Sequence, residues 1–309
     1  MTAIASDKLG GVRRWARRGE ARGAGLAWLL LAPALILIAG VVALPVGYVG
    51  YLALTEQNLL SDSGGQFVGL RNFARALSSG AFYSAAWTTM VYATSTVVAS
   101  FGAGLGCAHL LERVTGRWRW VRSLFIAPWV TSAVVVAFLF LYMFDNQVGV
   151  INAFLVRFGL VEGYLSWLSD STLAMVAVVL ATVWQQTPFF TLMFIAAMKG
   201  IPQDVKDASQ VDGATGWENF RHITVPFLSK VMIISATLVS IRSLNNFPII
   251  WTMTRGGPVD ATTTTVVQVY RIAFESFQLG YSAAIGALWM VFILIASSLY
   301  ARAILKDPS

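Results

Sequence analysis

Charged side chains are scarce in this sequence: Asp, Glu, Lys and Arg make up 12% of its 309 residues, whereas 57% are apolar. Water-soluble domains average about 25% charged and about 45–50% apolar residues. A chain of this composition has too little polar surface to cover a soluble globule, which excludes an ordinary cytosolic enzyme and a disordered tail. The composition therefore indicates a membrane protein.

Residues that build metal, disulfide and nucleotide sites are also few. The single cysteine, Cys107, and two histidines, His109 and His222, exclude a disulfide framework and a zinc-type cluster within the chain. No Gly-x-x-x-x-Gly-Lys-Ser/Thr run occurs, so a Walker A loop is absent from the sequence. A Ser/His/Asp site around Ser209, Asp212 and His222 is not indicated, because these residue types are common in any polar loop. The sequence predicts no catalytic residue and no metal site.

Long stretches without charge predict the membrane spans, since a spanning helix needs about 20 mostly apolar residues. The charge-free stretches lie between residues 22 and 56, 75 and 112, 122 and 145, 170 and 199, and 275 and 302. A further window, residues 231–254, is interrupted only by Arg242. Within the second stretch, Gly102, Gly104 and Gly106 predict close helix packing and not a phosphate-binding loop. We therefore predict an all-α membrane protein with six transmembrane helices.

The distribution of charge predicts the orientation and disfavours one class of transporter. Most of the 22 Lys and Arg residues fall on one side of the six spans, which predicts that both termini are cytoplasmic. The net charge of +7 then reflects topology, and nucleic-acid binding is not indicated. All 15 Asp and Glu residues lie outside the charge-free windows, whereas ion-coupled carriers usually keep a carboxylate at membrane depth. An ion-coupled secondary carrier is therefore the less favoured alternative.

The longest inner connection, residues 199–230, carries two short amphipathic patterns. Pro202 predicts the first turn of a helix, Gly213 predicts a tight break, and Pro226 predicts the return to the membrane. The periodicity alone equally favours an interfacial helix lying on headgroups and a helix that docks into a partner protein. The two apolar stripes are Val205, Ala208 and Val211 before the break, and Trp217, Phe220 and Ile223 after it.

This inner loop resembles the EAA loop of ABC importer permeases. In that family the loop forms a coupling helix that fits a cleft on the ATPase subunit. The resemblance implies the same role for Asp207, Ala208, Ser209, Asp212, Gly213, Ala214 and Phe220. Two positions depart from the family pattern, because Asp207 stands where Glu is usual and Ser209 where Ala is usual. Both changes keep the charge sign or the small size.

A second group of motifs is similar to the maltose-transporter type of carbohydrate permease. These motifs are Asn245-Asn246-Phe247, Thr254-Arg-Gly-Gly-Pro258, Thr262–Thr265, Tyr270-Arg-Ile-Ala-Phe274 and Gly280-Tyr-Ser-Ala-Ala284, supported by Phe67–Phe73, Pro128 and Gly149–Asn152. The resemblance covers the chain from the first span onward. It implies one six-span permease domain with the MetI-like fold over residues 24–305, containing a coupling loop at 199–226. A basic tail at 1–23 and a short tail at 306–309 flank it.

The resemblance also implies a heteromeric importer in a bacterial or archaeal cytoplasmic membrane. Its partners would be a second homologous permease, two copies of an ABC ATPase and an extracytoplasmic solute-binding protein, with lipid around the spans. The outer segments 145–170 and 255–281 would receive the binding protein. ATP and Mg would bind to the ATPase, and this chain would hold no cofactor. The implied function is ATP-driven import of a carbohydrate, with glycerol phosphate or another polar solute as the alternative.

Two spans carry the aromatic and polar side chains that a sugar pathway needs. Family members with a substrate site in the permease use the same stretches, which implies candidate pathway residues at Trp184, Gln185, Gln186, Phe189, Arg242, Ser243, Asn245 and Asn246. Interhelical hydrogen bonding is the alternative role for Gln and Asn. Pro188 is expected to free backbone carbonyls in the fourth span. Arg242, a cation costing at least about 2.5–3.5 kcal/mol at mid-bilayer, is expected to face a cavity or a partner, or else to snorkel to an interface.

Overall fold

The computed structural model describes residues 28–60, 65–112, 114, 116 and 120–305. The predicted tails, 1–23 and 306–309, lie outside the described residues. The described part is mostly helical, with one antiparallel pair of two-residue strands in which Thr55 lies opposite Phe67 and Glu56 opposite Gln66. This architecture confirms the predicted all-α membrane fold.

The first helix, α1 (Trp28–Ala53), belongs almost entirely to a compact unit of its own that ends at Leu52. It contains a π-helical turn at Ala39–Ala43 and has a mean hydropathy of 2.7. Its 26 residues give a length of about 39 Å, which exceeds the ~30 Å thickness of the hydrocarbon layer. The helix is therefore long and apolar enough to cross a membrane by itself.

The second unit, residues 53–309, holds the other described elements. In chain order they are β1 (Thr55–Glu56), β2 (Gln66–Phe67), α2 (Arg71–Leu77), α3 (Gly80–Glu112), α4 (Trp120–Phe125), α5 (Ala127–Val130), α6 (Ala133–Met143), α7 (Val150–Arg157), α8 (Ser171–Lys199), α9 (Gln203–Val211), α10 (Gly216–Leu244), α11 (Pro248–Thr254), α12 (Thr265–Tyr270) and α13 (Leu279–Leu305).

Five helices within the described residues are long and apolar enough to span a membrane, namely α1, α3, α8, α10 and a part of α13. The predicted third span is instead a bent pair, in which Trp120–Val130 and α6 meet at 95°. The bend lies at Thr131 and Ser132, whose backbone is extended, with ψ angles of 138° and 136°. Counting the pair as one span gives the six that the charge gaps predict, but this span is not one straight helix.

The predicted bounds of the fifth span are wrong at its outer end. The window 231–254 contains the end of α10 at Leu244 and a separate helix, α11, that begins at Pro248. Asn245 leaves the helical conformation, with φ −113° and ψ 12°, and Pro248 lacks the N–H that a continuing helix would need. The uncharged segment Asn245–Phe247 therefore interrupts the span although no charge marks the break.

The predicted return to the membrane at Pro226 is not marked by a break in the helix. The span helix α10 already begins at Gly216 and passes through a π-helical turn, Phe220–Thr224, before reaching this proline. Pro226 lies in the first turn after the π-helical segment, where the helical bonding pattern changes. The second half of the predicted inner loop is thus helical and continuous with the candidate fifth span.

The core of the second unit is the packing of α3 along α8. The buried side chains of α3 recur every three or four residues, which places them on one helix face: Phe82, Ala85, Thr89, Tyr92, Thr96, Ser100, Gly104 and Ala108. Gly104 is needed for this close approach, because a Cβ there would collide with the Cβ of Phe190 and lie 3.3 Å from the carbonyl oxygen of Thr187. Gly102 and Gly106 have open space instead, so only the middle glycine provides the predicted close packing.

Candidate functional site

The inner helix α9 ends where Gly213 adopts a φ of +73°. Non-glycine residues rarely adopt this left-handed conformation, so glycine favours a stop at this point. The backbone N–H of Ala214 donates to the carbonyl of Ser209 across the turn, and that of Asp212 donates to Ala208, both over 3.0 Å. The predicted break at Gly213 is confirmed, and it separates α9 from α10.

Two residues of the apolar stripe predicted on α9 do not pack inward. Val211 is 88% exposed and Ala208 is also exposed, whereas Val205 is half-buried and Ser209 is buried. The Ser209 hydroxyl accepts a hydrogen bond of 3.0 Å from Nδ2 of Asn219 in α10. Asp207 is exposed and accepts a hydrogen bond from Gln203. α9 therefore turns Asp207, Ala208 and Val211 outward and uses Ser209 as its anchor.

The aromatic residues after the break form a second feature of the inner side. The rings of Trp217 and Phe220 stack with centroids 5.6 Å apart, and Phe220 meets the ring of His109 edge-on at 6.1 Å. Together with Gly102 and Gly106 of α3 they line an open cavity of about 410 Å³. Phe220 thus packs toward α3, whereas the exposed residues Asp207, Ala208 and Asp212 lie on or just after α9.

Polar residues from two helices and from the segment after α10 meet in the membrane-spanning core. Nδ2 of Asn246 donates to the hydroxyl oxygen of Tyr92 over 2.6 Å, and the Tyr92 hydroxyl lies 2.8 Å from Oγ1 of Thr182. This chain of hydrogen bonds connects α3, α8 and the segment that follows α10. Tyr92 and Thr182 were not among the predicted site residues. The recurrence of polar side chains on one face of α3, at Thr89, Tyr92 and Thr96, is the sequence signal that could have found Tyr92.

Two of the predicted pathway residues lie beside the bend of the third span. Nε2 of Gln185 donates to the carbonyl oxygen of Thr131 over 3.0 Å, and the ring of Phe189 lies 5.8 Å from that of Trp129. Trp184 packs edge-on against Phe140 and lines a cavity of about 370 Å³. α8 continues through Pro188 without ending, so this proline does not divide the helix.

Two further predicted residues keep a polar atom without a hydrogen-bond partner among the described residues. These atoms are Oε1 of Gln186 and Oγ of Ser243, and both side chains are buried. An unpaired buried polar group costs about 1–3 kcal/mol. One amide oxygen can accept a hydrogen bond and one hydroxyl can donate or accept one, which is the chemistry that a sugar hydroxyl would need.

The remaining predicted residues face other surroundings. Asn245 is exposed and lines an apolar cavity of about 320 Å³ with Val266, Trp289 and Met290. Arg242 is exposed near the end of α10. The eight predicted pathway residues therefore divide between the core, the bend of the third span and an exposed surface.

The outer segment 145–170 is organised by the buried amide of Asn152. Its Oδ1 accepts from Nε1 of Trp167 and the N–H of Leu165, and its Nδ2 donates to the carbonyls of Asp145 and Leu165, over 2.9–3.2 Å. The backbone N–H groups of Val148 and Gln147 hold the pKa of the Asp145 carboxyl below its usual range. The Gly-Val-Ile-Asn motif thus fixes the shape of this segment.

The outer segment 255–281 begins with a loop that is held by threonines and one ion pair. Oγ1 of Thr254 lies 2.6 Å from Oγ1 of Thr262, and Thr263 donates to the carbonyl of Gly256 over 2.9 Å. Asp260 pairs with Arg271, and this hydrogen bond holds the pKa of the Asp260 carboxyl below its usual range. The loop therefore has a defined conformation.

Comparisons with known proteins identify the family. The family model described as "Binding-protein-dependent transport system inner membrane component" matches residues 100–304. The chain is 32% identical over 285 residues to the trehalose/maltose transport system permease protein MalF of Thermococcus litoralis, covering 91% of this chain and 94% of that protein. It is 31% identical over 271 residues to the sn-glycerol-3-phosphate transport system permease protein UgpA of Escherichia coli, covering 87% and 90%.

A solved structure has the same fold. A chain from a bacterial ABC transporter involved in the import of the acidic polysaccharide alginate matches with a TM-score of 0.79 at 19% sequence identity, covering 96% of this chain and all of that one. The comparisons confirm the resemblance carried by the inner loop and the outer motifs. The chain belongs to the family of binding-protein-dependent transport system inner membrane components, and it is a multi-pass permease subunit of an ABC transporter and not an enzyme.

Proposed function

We propose that this permease imports a carbohydrate and that ATP hydrolysis on a partner subunit drives the transport through α9. The outward-turned surface of α9 carries the proposal, because its motif residues Asp207 and Ala208 are exposed while Ser209 anchors the helix from behind. The exposed apolar side chain of Val211 lies beside them, and such a side chain favours contact with a partner protein over contact with water. Gly213 and Ala214 set the end of the helix, and Asp212 stands exposed between them and α9.

The proposed assembly contains a second homologous permease, two copies of an ABC ATPase and an extracytoplasmic solute-binding protein. ATP and Mg bind to the ATPase subunits in this proposal, and the chain described here holds no cofactor. The excess of Lys and Arg in the inner loops supports an orientation with both termini in the cytoplasm of a bacterium or archaeon. The ordered outer segments 145–170 and 255–281 are the proposed contacts of the binding protein.

Within the spans, the proposed sugar contacts are those predicted residues whose polar atoms are unpaired or exposed. Gln186 and Ser243 offer a buried amide oxygen and a hydroxyl without a partner among the described residues. Trp184 and Phe189 supply aromatic surface in the same span as Gln186. Gln185 and Asn246 have protein partners already, which supports a structural role for these two amides.

Glycerol phosphate is the second candidate substrate. Arg242 supplies an exposed cation near the end of α10, and a guanidinium binds phosphate through paired hydrogen bonds. The similarity to a permease for sn-glycerol-3-phosphate supports this alternative. Replacement of Arg242 by Gln would reduce uptake of a phosphorylated substrate far more than uptake of a neutral sugar.

Transport by the complete complex in proteoliposomes tests the proposal. Uptake of the solute retained by its binding protein should require ATP and should not follow an ion gradient alone. Gly213→Asp should abolish uptake while the chain still inserts, because aspartate is strained at a φ of +73°. Gly216→Asp is the matched control, since its Cβ meets nothing within 4 Å and an acid suits a helix N-terminus. Normal uptake by the Gly213 variant, or uptake driven by an ion gradient, would contradict the proposal.

A further inference from the structure

Side chains from two different membrane helices hold the inner helix α9. Nζ of Lys206 lies 3.6 Å from Oε1 of Glu112, which is the last residue of α3. One turn along α9, the Ser209 hydroxyl accepts the 3.0 Å hydrogen bond from Asn219 in the first turn of α10. α9 therefore bridges the inner ends of α3 and α10.

The Glu112 end of this bridge has a fixed backbone. The guanidinium of Arg122 in α4 donates to the carbonyl oxygens of Leu111, Glu112 and Val114 over 2.7–3.0 Å. These carbonyls belong to the end of α3 or follow it, where no helical N–H is available to them. The side chains of Lys206 and Glu112 are 29% and 31% exposed, so water and salt screen their attraction only in part.

The Asn219 end is equally well positioned. Thr215 and Glu218 form a capping box at the start of α10, which fixes the first turn that contains Asn219. The Ser209 hydroxyl donates a hydrogen bond to the carbonyl of Lys206 over 2.8 Å, and its oxygen accepts one from Asn219. The hydroxyl therefore serves as donor and acceptor at once. The orientation of α9 toward α10 thus depends on one directed hydrogen bond.

The same two membrane helices are joined again at the other end of α10. Asn246, two residues beyond Leu244, donates to Tyr92 of α3 over 2.6 Å. α3 and α10 are therefore connected through α9 near Glu112 and Asn219, by the ring contact of His109 with Phe220, and again near Tyr92. A displacement of α9 therefore acts on α3 and α10 while the hydrogen bond between Asn246 and Tyr92 holds them together at the other end of α10.

We propose that Glu112 and Asn219 are positioning residues that transmit the displacement of α9 to the inner ends of α3 and α10. This inference rests on the proposed coupling role of α9. With both contacts present, a partner that pulls on α9 moves the two helices relative to each other. When either contact is lost, α9 still binds the partner, but ATP is hydrolysed without an equal movement of the spans.

Charge reversal tests the ion pair in the complete complex. Lys206→Glu and Glu112→Lys should each lower the amount of solute taken up per ATP hydrolysed by about fivefold or more, within the usual range of coupling between sites. The double variant Lys206→Glu/Glu112→Lys should restore the ratio to near that of the wild type. Lys199→Glu is the matched control, because Lys199 is exposed and forms no ion pair with a described residue.

The hydrogen bond between Asn219 and Ser209 is tested separately with Ser209→Ala and Asn219→Ala. Each variant should lower the amount of solute taken up per ATP hydrolysed, and the double variant should lower it no further. If either reversal fails to insert, Lys206→Gln and Glu112→Gln remove the attraction without repulsion and carry the same expectation. A wild-type ratio in the single variants, or no restoration by the charge swap, would overturn the inference. If Gly213→Asp still abolishes uptake in that case, the coupling role of α9 stands without these contacts. If Gly213→Asp leaves uptake intact, the proposed function itself fails.

Discussion

The side-chain amide of Gln185 donates a hydrogen bond to the backbone carbonyl of Thr131 at the point where the third span bends by 95°. A helix that ends inside hydrocarbon leaves carbonyl groups without a partner, and no water is present there to replace one. Gln185 fills this role from the neighbouring helix α8. A residue predicted to contact substrate is thus engaged in supporting a bent helix.

Replacement of Gln185 by Leu should destabilise the permease by about 1–3 kcal/mol, because the Thr131 carbonyl loses its partner in a part-buried position. Thermal unfolding of the purified permease in detergent measures this change. Gln186→Leu is the matched control, since its Oε1 has no partner among the described residues. Equal losses in the two variants would show that the bond to Thr131 contributes nothing.

Replacement of Tyr92 by Phe should destabilise the protein by about 1–2 kcal/mol, because Asn246 and Thr182 both lose the phenolic oxygen. A double-mutant cycle of Tyr92→Phe with Asn246→Ala should give a coupling of about 0.5 kcal/mol or more, as groups in one hydrogen-bond network do. Tyr142→Phe, at an exposed ring, should change stability by less than about 0.5 kcal/mol. Additive losses at Tyr92 and Asn246 would contradict the connection.

Replacement of Gly104 by Ala should destabilise the protein by about 1–3 kcal/mol, because the new methyl group overlaps the Cβ of Phe190 and forces α3 away from α8. Gly102→Ala and Gly106→Ala meet nothing within 4 Å and should be neutral or slightly stabilising, since alanine favours helix more than glycine does. Chemical or thermal unfolding of the three variants makes the comparison. A loss of equal size at Gly102 would show that packing against Phe190 is not the cause.

The ion pair between Asp260 and Arg271 predicts a pH dependence. Because the folded-state pKa of Asp260 is below its unfolded value of about 3.9, its contribution is present above that pH and is lost as pH falls through the folded-state pKa. Asp260→Asn should therefore lower the unfolding temperature slightly at pH 7 and not at all in strong acid. The effect should stay below about 1 kcal/mol, since the Asp260 side chain is 68% exposed.

Glu162→Gln provides the comparison for this titration. Glu162 is exposed and forms no ion pair with a described residue, so the variant should unfold at the wild-type temperature at both pH values. A difference between wild type and Asp260→Asn that persists unchanged in strong acid would contradict the role of the ionised carboxyl.

The approximate positions of the spans were predictable because charge is costly in hydrocarbon and is therefore absent from the spanning stretches. The breaks were not predictable from charge, since Thr131, Ser132 and the segment Asn245–Phe247 carry none. The position of the first break depends on whether a neighbouring helix supplies a hydrogen-bond partner, as Gln185 does for Thr131, whereas Pro248 directly follows the second. The break at Gly213 was predictable because it depends on the local backbone alone.

The residue types of the candidate pathway were predictable, but their directions were not. One step along a helix turns a side chain by about 100°, so the adjacent Gln185 and Gln186 face different surroundings. Asn245 and Asn246, in the non-helical segment after α10, also face different surroundings, one an apolar cavity and the other Tyr92. Packing between helices decides which of two neighbouring side chains faces the interior. The sequence pattern of one segment does not contain this information.

Gly280, the first residue of the Gly-Tyr-Ser-Ala-Ala motif, lies where two backbone segments approach closely. A Cβ at Gly280 would collide with the carbonyl oxygen of Thr55, and its N–H donates to the carbonyl of Gln57 over 3.1 Å. Gly280 therefore lets the start of α13 approach the strand β1. The motif fixes the architecture of the outer side and does not by itself indicate a substrate contact.

The helix α10 is 29 residues long, or about 43 Å, and includes both the contact to Ser209 and the residue next to Asn245. The π-helical turn at Phe220–Thr224 and Pro226 after it interrupt its regular helical bonding, and the helix continues through both. A push at its first turn must therefore reappear as tilt or axial sliding at its opposite tip. A single continuous helix therefore carries movement between the contact at Ser209 and the segment that begins at Asn245.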